Sequence, residues 1–204
     1  MHPNPSFRQA PEARSLDFAR SRGFGTLLVN GPEGPLLAHV PFLLSGNGRT
    51  ADLHLVRSNP ILRAETDAAV IAVTGPDSYI SPDWYGVPDQ VPTWNYVAVH
   101  LRGRLIRLDA GAMRDMVDRQ SAAAEAPLAP KPIWQTGKMT PEVRERMMRQ
   151  IVPCRLEITR ADATWKVSQN KPDEVRLRAA DGVEAAGLAP DAADLAHLMR
   201  NPPG

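Results

Sequence analysis

The stretch GTLLVNGPEGPLLAHVPFLLSGNGRTADLHLV, Gly25–Val56, decides the architecture of this chain. Apolar runs alternate in it with clusters of turn formers. GTLLVN (Gly25–Asn30) reads as a strand, Gly31-Pro32-Glu33-Gly34 as a turn, and PLLAHVPFLL (Pro35–Leu44) as a second strand. The second run is almost wholly apolar, which predicts burial on both faces. SGNGRT (Ser45–Thr50) then closes another hairpin onto ADLHLV (Ala51–Val56).

Working outward, Pro11 to Arg22 has a helical pattern, with Leu16, Ala19 and Arg20 on one face and Gly23 placed to stop it. AAVIAVTG (Ala68–Gly75) is a fourth strand, and Tyr96 to Leu108 a longer one that Gly103 is expected to bend or bulge. Asp109 is placed to cap a helix with Met113, Met116, Val117 and Ala124 at helical spacing. Ala122 to Ile133 reads as an irregular connection. Thr140-Pro141 opens a further helix with Val143, Met147 and Ile151 as its apolar stripe. Two strands, Cys154–Thr159 and Thr164–Ser168, are expected before a mostly helical end. Short strands with turn signals and no strand–helix alternation predict a mainly β fold, a small barrel with peripheral helices. The expected organisation is one domain over residues 1–204, with a helical C-terminal extension from about residue 172.

Composition limits the function. Hydrophobic residues are 43% of the chain and charged residues 23%, values of a protein with an ordinary core. Proline is abundant at 20 residues, which favours many short elements joined by fixed turns. A net charge of +1 provides no general attraction for nucleic acid or an anionic membrane. The one cysteine, Cys154, has no partner for an internal disulfide, and the opening residues lack the apolar core of a signal peptide. No run approaches a membrane span, so a cytoplasmic location is expected.

The familiar catalytic signatures GxGxxG, GxxxxGK[ST], GxSxG and HExxH are missing, and no catalytic residue is assigned. The five histidines have no paired metal spacing, so no metal site is expected. For His39 and His100, inside apolar strands, a hydrogen-bonded interior histidine is favoured over a ligand.

Three segments carry polar chemistry. In LHLVRSNPILRAE (Leu53–Glu65), Asn59 and Pro60 signal a helix start beside Arg57 and Ser58. Such an end with a guanidinium and a hydroxyl can hold a phosphate, with Arg63 as a further candidate; a capped helix with a solvated arginine explains the pattern equally well. In the run Thr74–Gly103, PTWNY sets Trp94, Asn95 and Tyr96 at a strand start. Asn95 could bond the edge of a planar heterocycle while Trp94 or Tyr96 covers a face. The alternative is an aromatic loop closing the barrel core, a task that suits Tyr79, Trp84 and Tyr85. In WKVSQNKPDE (Trp165–Glu174), the uncharged Ser168, Gln169 and Asn170, followed by Lys171, are more hydrogen-bonding groups than a turn needs, although N-capping by Asn170 is a sufficient structural explanation on its own.

Together these segments resemble the PaiB-like family, known as FMN-binding negative transcriptional regulators. The matching blocks are PSFR, FGTLLVN, PLLAHVPFLL, LHLVRSNP, AVIAVTGPDSYISPDWY, VPTWNYVAVHLRGRL and WKVSQNKP. The resemblance implies a split β-barrel similar to pyridoxamine-phosphate oxidase, working as a homodimer with FMN at the subunit interface. It implies that Arg57, Ser58 and Asn59 hold the phosphate and that His39 lies on the strand under the isoalloxazine. Asn95 and Tyr96 would reach the ring edge, with Ser168, Gln169, Asn170 and Lys171 arriving from the partner. The sequence departs from the family at Met1-His2, in a shorter loop between Tyr85 and Val91, and in the alanines of Ser121–Glu125, which puts a pocket role of the middle helix in doubt.

The leading function is thus an FMN-binding dimeric repressor. DNA contact is possible but unsupported: no helix-turn-helix is evident, and Glu142 and Glu145 interrupt Arg144, Arg146 and Arg149. The alternatives are a flavin oxidoreductase, in which the cofactor carries the hydride chemistry, and a haem-binding split barrel with a histidine ligand.

Overall fold

A computed structural model describes residues 2–203, so Met1 of the Met1-His2 departure lies outside the described residues. Helix α1 (Glu12–Arg22) is followed by strands β1 (Phe24–Gly31), β2 (Gly34–Pro41), β3 (Leu43–Leu44), β4 (Thr50–Val56), β5 (Ala68–Ile80) and β6 (Thr93–Arg107). Then come α2 (Met113–Glu125), α3 (Pro141–Met148), β7 (Ile151–Lys166), α4 (Asp173–Ala186) and α5 (Ala192–Arg200). The strands form one sheet in the order β2-β1-β5-β6-β7-β4-β3.

The chain divides into two compact units. One comprises Ala19–Ala72 with Leu101–Arg160, the other Met1–Phe18 with Val73–His100 and Ala161–Gly204.

The first unit holds the barrel. Gly23 ends α1 in a left-handed conformation, φ +55°, with its N–H on Ala19. β1 and β2 pair antiparallel from Phe24↔Pro41 to Gly31↔Gly34, around the two-residue turn Pro32-Glu33. One residue, Phe42, separates β2 from β3, and β3 pairs with β4. β2 and β3 are the two ends of the sheet order. Both ends of the order are therefore nearly one stretch of chain, which sets the two edges of the sheet beside each other and curls it into a barrel. Inward side chains alternate along β1, where Leu27 and Val29 are buried, and join Leu53, Leu55, Ile71, Leu101, Leu156 and Met116 in the core. Each such side chain contributes about 1.5–3 kcal/mol on burial. β6 runs unbroken through Gly103, where a Cβ would lie 1.8 Å from the Glu157 carbonyl oxygen. The glycine serves this close approach of backbone to backbone.

Several expectations are corrected here. Pro35–Leu44 is not buried on both faces: β2 is largely exposed, Leu37 at 58%, because none of the described residues covers its outer side. His39 is consequently an exposed residue, hydrogen-bonded to Thr26 (3.1 Å) and stacked on Phe24, not an interior histidine. The two strands expected over Cys154–Ser168 are one, β7, since ladder pairing overrides the weak strand preference of Arg160–Ala163. Helix α2 continues to Glu125 inside the stretch expected to be irregular. The apolar stripe of α3 is cut short, since Ile151 already opens β7 and Met147 is exposed.

In the second unit, α4 and α5 pack on each other and on the 3-10 turn Pro82–Tyr85. Their core contains Ile80, Tyr85, Val167, Val183, Leu195 and Met199. Tyr85 and Trp84 thus serve the helical layer and do not close the barrel. The N-cap of α4 is Pro172, so Asn170 does not cap it.

Candidate functional site

Arg57 follows β4, and its Nε donates to the Arg149 carbonyl at 2.7 Å. Asn59 caps the next turn, its Oδ1 accepting from the Ile61 N–H at 3.0 Å. That turn, Pro60–Arg63, is a single 3-10 turn. It has too few aligned peptides for a substantial dipole, so the helix-end component of the expected phosphate site is absent. What stands there is an exposed guanidinium, the Ser58 hydroxyl and Arg63, which donates to the Ser58 carbonyl at 3.1 Å.

The second polar cluster is built where β6 begins and β7 ends. Strand alternation turns Asn95 inward, fully buried, and Trp94 and Tyr96 to the opposite side. Trp94 is half exposed and donates its indole N–H to Asp77 at 2.8 Å. One ligand face within this strand therefore cannot be contacted by Asn95 and by both aromatics. Asn95 Nδ2 donates to Ser168 Oγ at 2.9 Å, and Tyr85 Oη lies 3.2 Å from the same hydroxyl. Ser168 is buried and holds φ +62°, an uncommon conformation for a residue with a side chain. Ser168 and Asn95 thus form one wall of one chain, which corrects the expectation that they approach a cofactor from different subunits.

The wall faces a cavity of about 250 Å³ also lined by Lys166 and Lys171. Lys166 donates to Thr93 Oγ1 at 2.6 Å, and burial pushes its pKa down. Lys171 bonds Gln90 and sits over the Tyr85 ring, 5.0 Å from its centre. Asn95 Oδ1 is buried without a partner among the described residues. An unsatisfied buried acceptor costs about 1–3 kcal/mol, so this atom marks a place for a donor. Asn170 lines the cavity from an exposed position. Gln169 has a structural task instead: its amide accepts from Val167 N–H and donates to the carbonyls of Ser6 and Trp165. The sequence reading missed Lys166 and gave Tyr85 no polar task. The signal for Lys166 was its place in WKVSQNK, two residues before Ser168.

A donor between two carbonyls, the pyrimidine edge of a flavin, is complementary to an amide oxygen flanked by ammonium groups. The donor set fits that ring edge. The cavity is smaller than the roughly 300–1,000 Å³ of a complete small-molecule pocket, so it accommodates a part of such a ligand.

An antiparallel sheet whose two end strands, β2 and β3, are joined by a single residue, with flanking helices, defines a split-barrel protein. The chain belongs to the family described as "Putative FMN-binding domain", whose model matches residues 1–160, and FMN is the cofactor of that family. It is 24% identical over 206 residues to "Protease synthase and sporulation protein PAI 2" of Bacillus subtilis (strain 168), covering 97% of this chain and 96% of the relative. Its fold is similar to that of the FAD and heme binding protein from Mycobacterium smegmatis, with a TM-score of 0.57, 16% identity, and 83% and 78% of the two chains covered. The flavocytochrome Anf3 from Azotobacter vinelandii superposes with a TM-score of 0.56 at 14% identity, covering 81% of this chain and 72% of that one. No helix among the described residues is long and apolar enough to cross a membrane.

Proposed function

We propose that this protein is a cytoplasmic homodimer that binds FMN and acts as a negative transcriptional regulator. One observation carries the flavin part: the unpartnered Asn95 Oδ1 in a lysine-lined cavity. In this reading Asn95, Lys166, Ser168 and Lys171 hold the pyrimidine edge. Arg57, Ser58 and Asn59 of the second copy hold the phosphate, with His39 and Tyr96 of that copy beside the ring, since within one copy Asn95 and Tyr96 face opposite sides of β6. The dimer is supported by the exposed apolar side chains Phe24 and Leu37 on the β1–β2 hairpin, which a second copy would cover. Regulation is supported by the relative named "Protease synthase and sporulation protein PAI 2", aligned over nearly both full lengths. With a net charge of +1, control without direct DNA reading is the favoured form.

A flavin oxidoreductase is the second reading. It is favoured by Lys166, a partly buried ammonium with a lowered pKa that can hold a proton at the cavity wall. Bound FMN would supply the hydride chemistry. The absorbance spectrum of the purified protein, followed by NAD(P)H consumption in air, separates these functions. We expect a flavin spectrum and no sustained consumption. Steady turnover would replace the regulator with the oxidoreductase, and failure to take up added FMN would remove both.

A further inference from the structure

The barrel unit has a second cavity, of about 330 Å³, between β4, α3 and the segment that precedes α3. Its walls are mostly apolar, with Trp134, Met139, Met147 and Met148 among them. Methionine is a flexible, polarizable wall that accommodates aromatic ligands well. Four polar side chains line this space, His54, Thr136, Arg144 and Gln150, and of these His54 and Arg144 offer a ring acceptor and a guanidinium.

The orientation of His54 follows from its neighbours. Gln120 Nε2 donates to the Asp52 carbonyl at 3.0 Å, which turns Gln120 Oε1 toward His54 Nδ1 at 3.1 Å. An amide oxygen only accepts, so Nδ1 carries the proton, and Nε2 of the neutral ring is an acceptor. Among the described residues Nε2 has no partner. Arg144, on α3, is half-buried, borders the same space and already attracts the Asp118 carboxylate. Its fork geometry suits a carboxylate.

We propose that this cavity binds a small aromatic acid, with its ring on Trp134 and the methionines, its hydroxyl or amine donor on His54 Nε2 and its carboxylate on Arg144. The cavity volume lies within the range of small-molecule sites. The lining shares no residue with those assigned to the flavin, although the Arg57 N–H bonds the Gln150 carbonyl beside it, and the proposal stands whether or not the flavin reading does.

Calorimetric titration of the purified protein with hydroxynaphthoate, methoxynaphthoate and naphthol tests it. Hydroxynaphthoate should bind saturably. Capping its hydroxyl as the methyl ether, or removing its carboxylate, should each weaken binding about tenfold. In His54→Phe the hydroxy and methoxy compounds should bind alike. In Arg144→Gln, on the helix surface, naphthol and hydroxynaphthoate should bind alike. If His54→Phe fails to fold, the comparison of ligands on the wild type and the Arg144→Gln variant still decide. Absence of saturable binding, equal binding of the three compounds by the wild type, or unchanged discrimination in the variants would overturn the proposal. Displacement of hydroxynaphthoate by equimolar FMN would also overturn it, by giving the cavity to the flavin.

Discussion

The amide of Asn95 donates to the hydroxyl of Ser168 at 2.9 Å, across 73 residues of sequence. Both groups are buried, and the bond leaves the amide oxygen as the free acceptor of the cavity. In the proposed site the two residues would therefore act on a ligand as a unit.

Their coupling is measurable. Asn95→Ala and Ser168→Ala should each cost about 1 kcal/mol of stability. The double variant should cost less than the sum, with an interaction energy of about 0.5–3 kcal/mol. Denaturant titration of the four proteins checks this, and FMN affinity should show the same non-additivity. Additive losses would mean that the contact does not organise the site.

Arg57 is proposed to recognise the phosphate, and it also braces the Arg149 carbonyl. A phosphate role predicts that Arg57→Ala weakens FMN about ten- to hundredfold and leaves riboflavin unchanged. A purely structural role would lower both alike. Sharing of the flavin between copies is tested by a heterodimer, one chain with Arg57→Ala and the other with Asn95→Ala. A shared pocket concentrates both lesions in one site and leaves half the flavin tightly bound. Two weakened sites would show that each chain builds its own.

Asp52 is an acid-sensitive point of the barrel. Burial pushes its carboxyl up, but bonds from Arg155 (2.6 and 3.0 Å) and Arg119 (3.0 Å) outweigh burial and hold it below the usual carboxylate range. The folded value lies below the unfolded one of about 3.9. Its stabilisation is therefore present above that pH and lost as pH falls through the folded value. Asp52→Asn should cost about 1–3 kcal/mol at neutral pH, and its deficit against wild type should shrink progressively below about pH 4. Thermal unfolding at several pH values reads this out. A constant deficit would mean that charge is not the cause.

Cys154 has no exposed surface, and burial pushes its thiol up to about 11. The native protein should resist iodoacetamide at pH 8, since the thiolate is the reactive form. Labelling should appear only along the denaturant unfolding curve, which makes this residue a reporter of barrel opening. Rapid labelling without denaturant would place a low-energy opening at β7.

Much of the fold was legible because its signals are local. Pro32-Glu33 between apolar runs specifies a hairpin, Gly23 stops α1, and Pro141 starts α3, each through the dihedral preference of a single residue or two. The seven-block resemblance added the family, and the segments holding Arg57, Asn95 and Ser168 were all singled out. What failed was local preference at places governed by neighbours. Arg160–Ala163 looked like a break and is held in β7 by its ladder. Asn170 looked like a cap, but the positive φ at Ser168 turns the chain and leaves Pro172 at the start of α4.

By itself, then, the sequence determined the strands, the turns between them and the polar residues available for a ligand. Only the tertiary structure decided which of those residues meet. Strand alternation turned Asn95 inward and Trp94 outward, and the approach of β6 to the end of β7 brought Ser168, Tyr85 and Lys166 beside it. The physical reason is range: turn and cap preferences act within a few residues, whereas the pairing register that aims a side chain is set by strands far apart in the chain.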